Sequence, residues 1–165
     1  MSFLVRAACL EDARAIAAIY ELFVLTSTAT LELEPPDAAE IERRLRSVQD
    51  AGLPYLVAEA PDGAVAGYAY ATAFRPRAGY RFTVEDSVYL DAKFAGRGLG
   101  RRLLVELIVR CKAAGCHQMV AVIGGENPAS VAMHASQGFA DVGVLREVGF
   151  KFGAWRDVTL MQREL

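Results

Sequence analysis

Glycine and arginine alternate in a short central stretch of the chain, at residues 95–102. Glycines occupy positions 96, 98 and 100, and arginines occupy positions 97, 101 and 102. A segment typical of a strand precedes this stretch, and an amphipathic segment typical of a helix follows it. Glycine leaves backbone N–H groups uncovered at a helix start, where the unsatisfied donors and the helix dipole attract anions. The stretch therefore predicts a site for a bound polyphosphate.

Two common phosphate-binding patterns do not fit this glycine-rich segment. A Walker loop needs a Lys-Ser/Thr pair after its last glycine, whereas Arg101 and Arg102 follow Gly100 here. A dinucleotide fingerprint needs Gly-x-Gly-x-x-Gly on the first strand of a repeated βαβ unit, and neither the spacing nor the mid-chain position agrees. The residues alone leave two interpretations open, a phosphate site and a tight turn.

The elements that would position this segment can be read from hydrophobic spacing and from turn residues. In the first half, helical spacing predicts a helix over about 10–25, and Asp37 is a plausible N-cap of a second helix that ends near Asp50. The segment Pro61-Asp62-Gly63 predicts a hairpin turn. The predicted strands of this half cover residues 3–7, 54–59, 64–73 and 80–90.

The second half predicts a crossover followed by an antiparallel pair. A helix after the glycines should end near Gly115, and residues 119–123 lack polar alternation, as a strand buried on both faces does. Asn127 and Pro128 predict the start of another helix, which Gly138 would end. In the last 27 residues, polar and apolar side chains alternate as in two antiparallel strands, with the turn around Gly153-Ala154-Trp155. The predicted order is β-α-α-β-β-β-α-β-α-β-β, a single α/β domain over residues 1–165 with a parallel crossover in the middle.

Composition limits the classes of partner and compartment. The chain has 165 residues, of which 53% are hydrophobic, and a net charge of −2, which favours neither nucleic acid nor an anionic membrane. No apolar run reaches the roughly 20 residues of a membrane span, and the first residues do not resemble a signal peptide, so a cytoplasmic protein is expected. Cys9, Cys111 and Cys116 lack metal-ligand spacing; we expect no metal site, and buried or half-buried thiols.

The glycine-rich segment resembles the acetyl-CoA motif of the GNAT superfamily of N-acetyltransferases, Gln/Arg-x-x-Gly-x-Gly/Ala. Residues 95–100 match at both glycines and depart at the first position, where Ala95 removes one side chain but leaves the backbone donors. Further stretches resemble the phosphinothricin and methionine sulfoximine acetyltransferase branch, namely residues 27–30, 74–77, 83–89, 119–123 and 149–155. The resemblance implies the GNAT fold, a mixed twisted central sheet flanked by helices, with acetyl-CoA as co-substrate and a homodimer as the assembly.

The same resemblance implies a set of residues that hold acetyl-CoA. The backbone of Val88, Tyr89 and Leu90 would pair with the pantetheine arm as an added strand would. The amides of the glycine-rich segment would hold the pyrophosphate, from Gly96, Arg97, Gly98, Leu99 and Gly100 to Arg101. Asn127 would contact the cofactor further along, and this role is compatible with that of a plain N-cap.

The resemblance also implies catalytic residues. Glu85 is the candidate general base, because an amine must lose a proton before it attacks a thioester; a surface or ion-paired glutamate is the alternative. Its neighbour Asp86 should face the opposite side of the strand and is the weaker candidate. His134 stands where many GNAT members have a tyrosine that protonates the departing thiolate. It would do the same or assist the base, unless it is a partly buried structural histidine.

The acceptor site is less clearly marked. Arg75, Arg77 and Arg81 form a basic cluster that suits a carboxylate, with a solvated loop as the competing interpretation. The resemblance favours Arg75 and implies a set of acceptor residues, namely Thr28, Thr30, Arg75, Pro76, Arg77, Glu85, Asp86 and Ser87. It also implies that Lys151 and Trp155 reach the pocket or the dimer interface, and core packing is the alternative for Trp155.

The function expected from the resemblance is transfer of an acetyl group from acetyl-CoA to the primary amine of a small amino acid or analogue. The backbone N–H of Val88 would stabilise the oxyanion. An acetyltransferase of another amine class remains open, with polyamines, aminoglycosides and protein N-termini as candidates. A non-catalytic acyl-CoA sensor also remains open, although Glu85 and His134 weigh against it.

Overall fold

Strands of both directions form one sheet with helices on its two faces. A computed structural model describes residues 2–165 of the chain. The strands are β1 (Leu4–Ala7), β2 (Tyr55–Glu59), β3 (Val65–Ala73), β4 (Thr83–Leu90), β5 (Gln118–Gly124), β6 (Ala140–Lys151) and β7 (Ala154–Glu164). The helices are α1 (Ala13–Thr26), α2 (Ala38–Asp50), α3 (Leu99–Ala113) and α4 (Pro128–Ser136). Short 3-10 turns lie at Leu10–Asp12, Ala78–Tyr80 and Ala92–Phe94.

The predicted order of elements is confirmed. The strands lie in the order β1-β2-β3-β4-β5-β7-β6, antiparallel except for the β4–β5 pair, which α3 connects. Strand β4 begins at Thr83, later than predicted, because Ala78–Tyr80 form a 3-10 turn. None of the helices within residues 2–165 has the length and apolar character that a bilayer crossing requires.

Each face of the sheet has its own apolar cluster. On one face, α3 contributes Leu99, Leu103, Leu104 and Leu107, which are buried against the inner residues of the central strands. On the other face, α1 and α2 cover the tyrosines of β2 and β3. Burial of a leucine side chain contributes roughly 1.5–3 kcal/mol, so the four leucines alone fix α3 firmly on the sheet. The glycine-rich start of α3 is therefore held at the edge of a rigid element.

The parallel strands β4 and β5 part in the middle of the sheet. Their pairing ends at Asp86 opposite Ala121, whereas β4 stays paired with β3 as far as Leu90. Residues 87–90 therefore have a strand neighbour on one edge and face a gap on the other. The prediction that residues 119–123 are buried on both faces is wrong at Val122, which is exposed because the neighbouring strand has moved away.

Local signals place most element ends correctly. The side chain of Asp37 accepts from the Glu40 N–H and caps α2, and Gly115 follows α3 with a φ of +86°. The β6–β7 turn consists of Phe152 and Gly153, both with positive φ, as a two-residue type I′ turn requires. The predicted turn position is wrong by a residue or two, because Ala154 already belongs to β7.

The three thiols differ in burial. Cys111 is buried in the α3 cluster and Cys116 is half-buried, as predicted. The expectation is wrong for Cys9, which is exposed because it precedes the 3-10 turn at the start of the first helical segment.

Candidate active site

The gap between β4 and β5 is lined from both faces of the sheet. A cavity of about 240 Å³ on one face includes Glu85 and Thr30 in its lining, and one of about 60 Å³ on the other includes Asp86 and His134. The two cavities share Ala29, Ser87, Tyr89, Val122 and Gly124. We call the Glu85 side the acceptor cavity and the His134 side the thioester cleft, after the roles that the resemblance in the sequence implies for these residues.

The edge of β4 that faces the gap is free to bind an extended ligand. Ser87 to Tyr89 line the thioester cleft, and residues 87–90 have no β5 partner. A free strand edge presents backbone N–H and C=O groups that an extended chain can pair with. This arrangement is compatible with the backbone role that the resemblance implies for Val88, Tyr89 and Leu90.

The glycine-rich turn presents uncovered backbone at the start of α3. Gly96 and Gly98 have φ values of +75° and +72°, a conformation that favours glycine. A Cβ atom built at either position meets no atom within 4 Å, so the surface above them is open. The first bond that closes the helix runs from the Arg102 N–H to the Gly98 carbonyl, so the amides of Leu99 to Arg101 lie in the unpaired first turn.

The arginines of this segment differ in their freedom to meet a ligand. Arg97 and Arg101 are exposed, and the Arg97 guanidinium lies 5.6 Å from the centre of the Phe94 ring. Arg102 instead donates to the carbonyl oxygen of Phe3 at 2.9 Å. Arg97 and Arg101 therefore remain candidates for phosphate contact, whereas Arg102 also holds the start of β1.

Asn127 combines the two roles expected of it. Its side chain accepts from the Ser130 N–H at 3.1 Å, which is the N-cap bond of α4. Asn127 also lines the thioester cleft. Its side-chain amide N–H groups remain available, because the cap uses the carbonyl oxygen.

Glu85 lies half-buried in the acceptor cavity. Tyr20, Tyr70 and Tyr89 line the same cavity. Burial raises the pKa of the Glu85 carboxyl, the charge of Asp86 raises it further, and the charge of Arg75 lowers it. A carboxylate with a raised pKa is a better proton acceptor than an ordinary surface glutamate.

Asp86 faces the opposite side of β4, as predicted, and pairs with His134. The Nε2 atom of His134 lies 3.0 Å from Oδ2 of Asp86, and Nδ1 lies 2.7 Å from the carbonyl oxygen of Ser130. Burial lowers the pKa of His134, but the bonds to Asp86 and Ser130 and the Asp86 charge raise it more, so the net shift is upward. The structure therefore brings His134 to Asp86 and keeps it across the sheet from Glu85.

Asp86, the weaker candidate from the sequence, is the carboxylate that the structure pairs with His134. Asp86 is 6% exposed and His134 is 4% exposed. The available signal was a charged side chain on the core-facing side of an apolar strand, since such a group is seldom buried without a partner. The partner itself lies 48 residues away in the chain and could not be identified from local spacing.

The loop that follows α1 forms one wall of the acceptor cavity. Thr30 is buried, and its Oγ1 lies 2.7 Å from the Tyr20 hydroxyl. The buried ammonium of Lys151, which is 2% exposed, donates to the carbonyl oxygens of Ser27 and Thr30 at 2.8 Å each. Thr28 lies outside the lining of the acceptor cavity, where it packs against the backbone of Gly124. Of the two predicted threonines, Thr30 therefore lines the cavity.

Sequence reasoning missed a second restraint on this loop. The guanidinium of Arg44 donates twice to Glu32, at 2.6 and 3.1 Å, and its Nε donates to Glu40 at 2.8 Å. Arg44 lies on α2 and Glu32 lies two residues after Thr30. Helical spacing explains the Arg44–Glu40 pair but carries no signal for Glu32.

The basic cluster lies at the margin of the acceptor cavity. Arg75, Pro76 and Arg77 are exposed and lie outside the linings of the two cavities. Arg75 stacks over the Phe74 ring, 4.2 Å from its centre, and its charge lowers the Glu85 pKa. The Arg81 guanidinium lies over Phe82. Of these arginines, Arg75 is the one whose charge acts on the predicted base.

The β6–β7 hairpin carries an apolar surface. Trp155 is 63% exposed and meets Phe150 edge to face at 5.0 Å, so core packing of Trp155 is wrong. We call this surface the hairpin patch, and its exposed residues are Val142, Val144, Leu145, Val148, Phe150, Phe152 and Trp155. Such a patch is typical of an interaction surface.

Comparison with known proteins gives consistent matches. The family model described as "Acetyltransferase (GNAT) domain" matches residues 5–160. The chain is 53% identical over 156 residues to a phosphinothricin N-acetyltransferase of Alcaligenes faecalis, covering 94% of this chain and 79% of the relative. It is 42% identical over 165 residues to an L-methionine sulfoximine/L-methionine sulfone acetyltransferase of Pseudomonas aeruginosa, covering 100% of this chain and 96% of the relative.

A solved structure agrees with the architecture. The crystal structure of a phosphinothricin acetyltransferase from Sinorhizobium meliloti in complex with acetyl-CoA superposes with a TM-score of 0.97 at 48% identity. The match covers 100% of this chain and 89% of that chain.

Proposed function

We propose that this chain, which belongs to the GNAT family of acetyltransferases and takes its acetyl group from acetyl-CoA, transfers that group to the α-amine of a small amino acid or analogue. The acceptor would be of the phosphinothricin and methionine sulfoximine type. The observation that carries the proposal is the half-buried carboxylate of Glu85, in a cavity whose lining includes three tyrosines, beside the gap between β4 and β5. The relatives named for these two substrates support the same acceptor class.

The size of the acceptor cavity and the positive charge at its margin favour a small zwitterion over a larger amine. A volume of about 240 Å³ lies below the 300–1,000 Å³ typical of pockets for drug-sized ligands, which disfavours an aminoglycoside. Arg75 and its neighbours repel a polycation and attract a carboxylate. Arg75 would hold the acceptor carboxylate at the cavity margin, while Thr30 and the tyrosines enclose the side chain.

The donor fits the backbone that the structure leaves open. The free edge at Val88, Tyr89 and Leu90 would pair with the pantetheine arm, and the amides from Gly96 to Arg101 would hold the pyrophosphate. Asn127 would contact the donor through its free amide N–H groups. Acetyl-CoA supplies an activated thioester carbonyl beside the gap.

Residues on the two sides of the gap would divide the chemistry. Glu85 would accept a proton from the ammonium form of the acceptor, directly or through water, so that the amine can attack. The backbone N–H of Val88 would donate to the acetyl oxygen as negative charge develops on it. His134, on the other face, would supply the proton that the departing thiolate takes up.

A homodimer formed through the hairpin patch is the proposed assembly. The patch combines Trp155 and Phe150 with four further exposed apolar residues of β6 and with Phe152 in the turn. Burial of such a surface in a self-complementary contact would remove it from water. Lys151, at the end of β6 in the same hairpin, donates to the carbonyl oxygens of Ser27 and Thr30. The hairpin is therefore hydrogen-bonded to the loop that forms one wall of the acceptor cavity.

A thiol-release assay with acetyl-CoA and a panel of amines tests the proposal. We expect turnover of phosphinothricin, methionine sulfoximine and methionine sulfone, with little turnover of spermidine or kanamycin. Turnover of polyamines alone would contradict the amino-acid acceptor. Binding of acetyl-CoA without turnover of any amine would indicate a sensor. Sedimentation of the wild type against Trp155→Glu tests the dimer.

A further inference from the structure

The end of β6 presents different residues to its two sides. Phe150 is 54% exposed and belongs to the hairpin patch. Lys151, the next residue, is buried and donates to two carbonyl oxygens of the loop after α1, residues 27–37, which we call the acceptor loop. Side chains alternate between the two sides of a strand, and the pairing with β7 is regular from Gly149 onwards. Gly149 therefore lies on the Lys151 side of β6, which meets the acceptor loop.

The side chain of Leu31 occupies the space beside Gly149. A Cβ atom built on Gly149 lies 2.5 Å from Cδ1 of Leu31, 3.1 Å from Cδ2 and 3.4 Å from Cγ. Carbon atoms in contact are normally about 3.5–4.0 Å apart, so a methyl group at this position would displace the end of the Leu31 side chain. The φ of Gly149 is not positive, so glycine is needed here for space and not for its backbone conformation.

Leu31 also belongs to the lining of the acceptor cavity. The cavity contains Glu85, and Leu31, Val122 and Val158 are the branched aliphatic residues of its lining. Leu31 is half-buried and follows Thr30, which is itself buried in the same lining. One residue is thus shared between the cavity and β6. A change that moves the Leu31 side chain at β6 therefore changes the shape of the cavity.

Backbone contacts hold the acceptor loop on both sides of this position. A Cβ atom built on Gly124, at the end of β5, would lie 2.6 Å from the carbonyl oxygen of Thr28, so the loop backbone rests closely on that strand. The carbonyl oxygen of Thr30 accepts from Lys151 at 2.8 Å. With the backbone held at these two points, a methyl group added on β6 meets the flexible end of Leu31 and not the loop backbone.

We propose that Leu31 and Gly149 together set the length of the acceptor side chain that the cavity admits. Leu31 limits the cavity, and the absence of a side chain on Gly149 allows Leu31 to lie back against β6. The inference rests on the proposed transfer to an amino acid and adds a size limit to it. Leu31 determines specificity by contact with the acceptor, and Gly149 is a positioning residue that acts through Leu31.

Gly149→Ala should reduce activity according to the length of the acceptor. Cδ1 of Leu31 must move by about 1 Å to regain an ordinary contact distance, and β6 leaves it no space except towards the cavity. We expect kcat/KM for methionine sulfone to fall about tenfold or more, as for a misfitting methylene in an apolar pocket. For S-methylcysteine sulfone, which is one methylene shorter, the fall should be less than about twofold. Equal losses for the two sulfones in a thiol-release assay would overturn the proposal.

Gly79→Ala is the matched control for the added methyl group. The φ of Gly79 is not positive either, and a Cβ atom built on it meets no atom within 4 Å. Gly79 lies outside the linings of the acceptor cavity and the thioester cleft. Both sulfones should therefore keep kcat/KM within about twofold of wild type in this variant. The same length-dependent loss in Gly79→Ala would show that Leu31 is not its cause.

Leu31→Ala tests the size limit in the opposite direction and does not require Gly149→Ala to fold. Removal of the Leu31 methyl groups should lengthen the cavity. The ratio of kcat/KM for ethionine sulfone, the S-ethyl homologue, to that for methionine sulfone should then rise about tenfold. Leu22→Ala, at an exposed position of α1, is the control and should keep the wild-type ratio. An unchanged ratio in Leu31→Ala would contradict a role of Leu31 in acceptor length.

The double variant tests whether Gly149 acts through Leu31. With Leu31→Ala in place, the carbon atoms that a Cβ at Gly149 would meet are absent. Adding Gly149→Ala to Leu31→Ala should therefore change kcat/KM for methionine sulfone by less than about twofold. Thermal unfolding repeats the cycle without substrate, and Gly149→Ala should lower the Tm more in the wild-type background than in the Leu31→Ala background. Additive effects in both measurements would show that the two residues are independent.

Failure of the proposed function gives a different result from failure of the size limit. If the protein acetylates only amines that lack a carboxylate, the amino-acid acceptor is wrong. The size limit is then measured with a series of n-alkylamines, in which Gly149→Ala should reduce kcat/KM for the longer members about tenfold more than for the shorter ones. A loss that is independent of chain length would refute the size limit with either class of acceptor.

Discussion

The donor side and the acceptor side of the gap are built in different ways. The proposed donor side would consist mainly of backbone from one stretch, residues 88–101, with Asn127 added from the start of α4. The acceptor side is assembled from α1, the loop after it, β3, β4 and the end of β6, through contacts such as Lys151 to Ser27, 124 residues apart. A site formed by the backbone of one stretch of chain persists when side chains are substituted, whereas a site formed by side chains from several elements changes when any one of them is substituted. Substitutions should therefore change which acceptor is used more readily than which donor is used.

The strongest test of this division removes the base without changing its shape. Glu85→Gln should lower kcat for an amino-acid acceptor by about 10²–10⁴-fold, because the amide cannot accept the ammonium proton. The KM for acetyl-CoA should change by less than about twofold, since the donor side is untouched. Steady-state thiol release at varied acetyl-CoA measures both. Glu21→Gln, on the exposed face of α1, is the control, and a similar loss in that variant would contradict the assignment.

A donor-side substitution should have the opposite kinetic signature. Gly98→Ala places a Cβ on a residue with a φ of +72°, which costs roughly 1–2 kcal/mol and distorts the unpaired amides at the start of α3. We expect the KM for acetyl-CoA to rise about tenfold, because a loss of about 1.4 kcal/mol of binding free energy weakens the affinity tenfold. The acceptor KM should be unchanged. Isothermal titration with acetyl-CoA checks the value.

Gly52→Ala is a closely matched control for the donor side. Gly52 has the same φ of +72° and equally open space around a built Cβ, but it follows α2, away from the gap. Both variants should lose similar unfolding free energy, and Gly98→Ala alone should lose acetyl-CoA affinity. Equal affinities in the two proteins would show that the glycine-rich turn does not hold the donor.

Lys151 tests whether the acceptor side depends on distant restraints. Lys151→Met leaves the carbonyls of Ser27 and Thr30 without their donor, at a cost of about 1–3 kcal/mol for a buried unpaired group. The loop that carries Thr30 should loosen, so we expect the acceptor KM to rise about tenfold while the KM for acetyl-CoA stays within about twofold. Kinetics with each substrate varied in turn measure this split.

Partial rescue distinguishes positioning from general destabilisation. Lys151→Arg keeps a cation that can donate to both carbonyls, and it should recover part of the acceptor KM. Lys112→Met, at an exposed position near the end of α3, controls for loss of charge. A uniform loss of kcat and of both KM values in Lys151→Met would contradict a specific role in the acceptor loop.

The same division explains what could be predicted from the sequence. Strands, helices, caps and the glycine-rich turn depend on local patterns, so Asp37, Asn127 and Gly98 could be placed before the structure. The Asp86–His134 pair, the Lys151 bonds and the Arg44–Glu32 pair join residues far apart in the chain. Nothing in local spacing encodes such partners. Even the exposure of Val122 depends on the separation of β4 from β5. The pattern of polar and apolar residues does not indicate where two strands separate.

Arg75 gives the smallest but most specific test of the acceptor side. Burial and the Asp86 charge raise the Glu85 pKa above 4.5, and the Arg75 charge lowers it. Below that raised pKa the carboxyl is protonated and cannot accept a proton, so kcat/KM should fall on the acid side. Arg75→Met removes the opposing charge and should move the acid limb to higher pH, by about 0.5 unit because an exposed guanidinium is screened.

The sign of this shift also has a consequence for stability. A carboxyl whose pKa is raised in the folded state binds more protons folded than unfolded, so its contribution to stability falls as the pH rises from 4.5 through the folded pKa. Arg75→Met should steepen this fall, and Arg77→Met, on the same exposed loop, should leave it unchanged. If the acid limb of the kcat/KM profile moves equally in both variants, the Glu85 pKa depends on the total charge of the loop and not on Arg75 in particular. A shift confined to Arg75→Met, with a higher acceptor KM for amino acids than for amines that lack a carboxylate, would assign the acceptor carboxylate to Arg75.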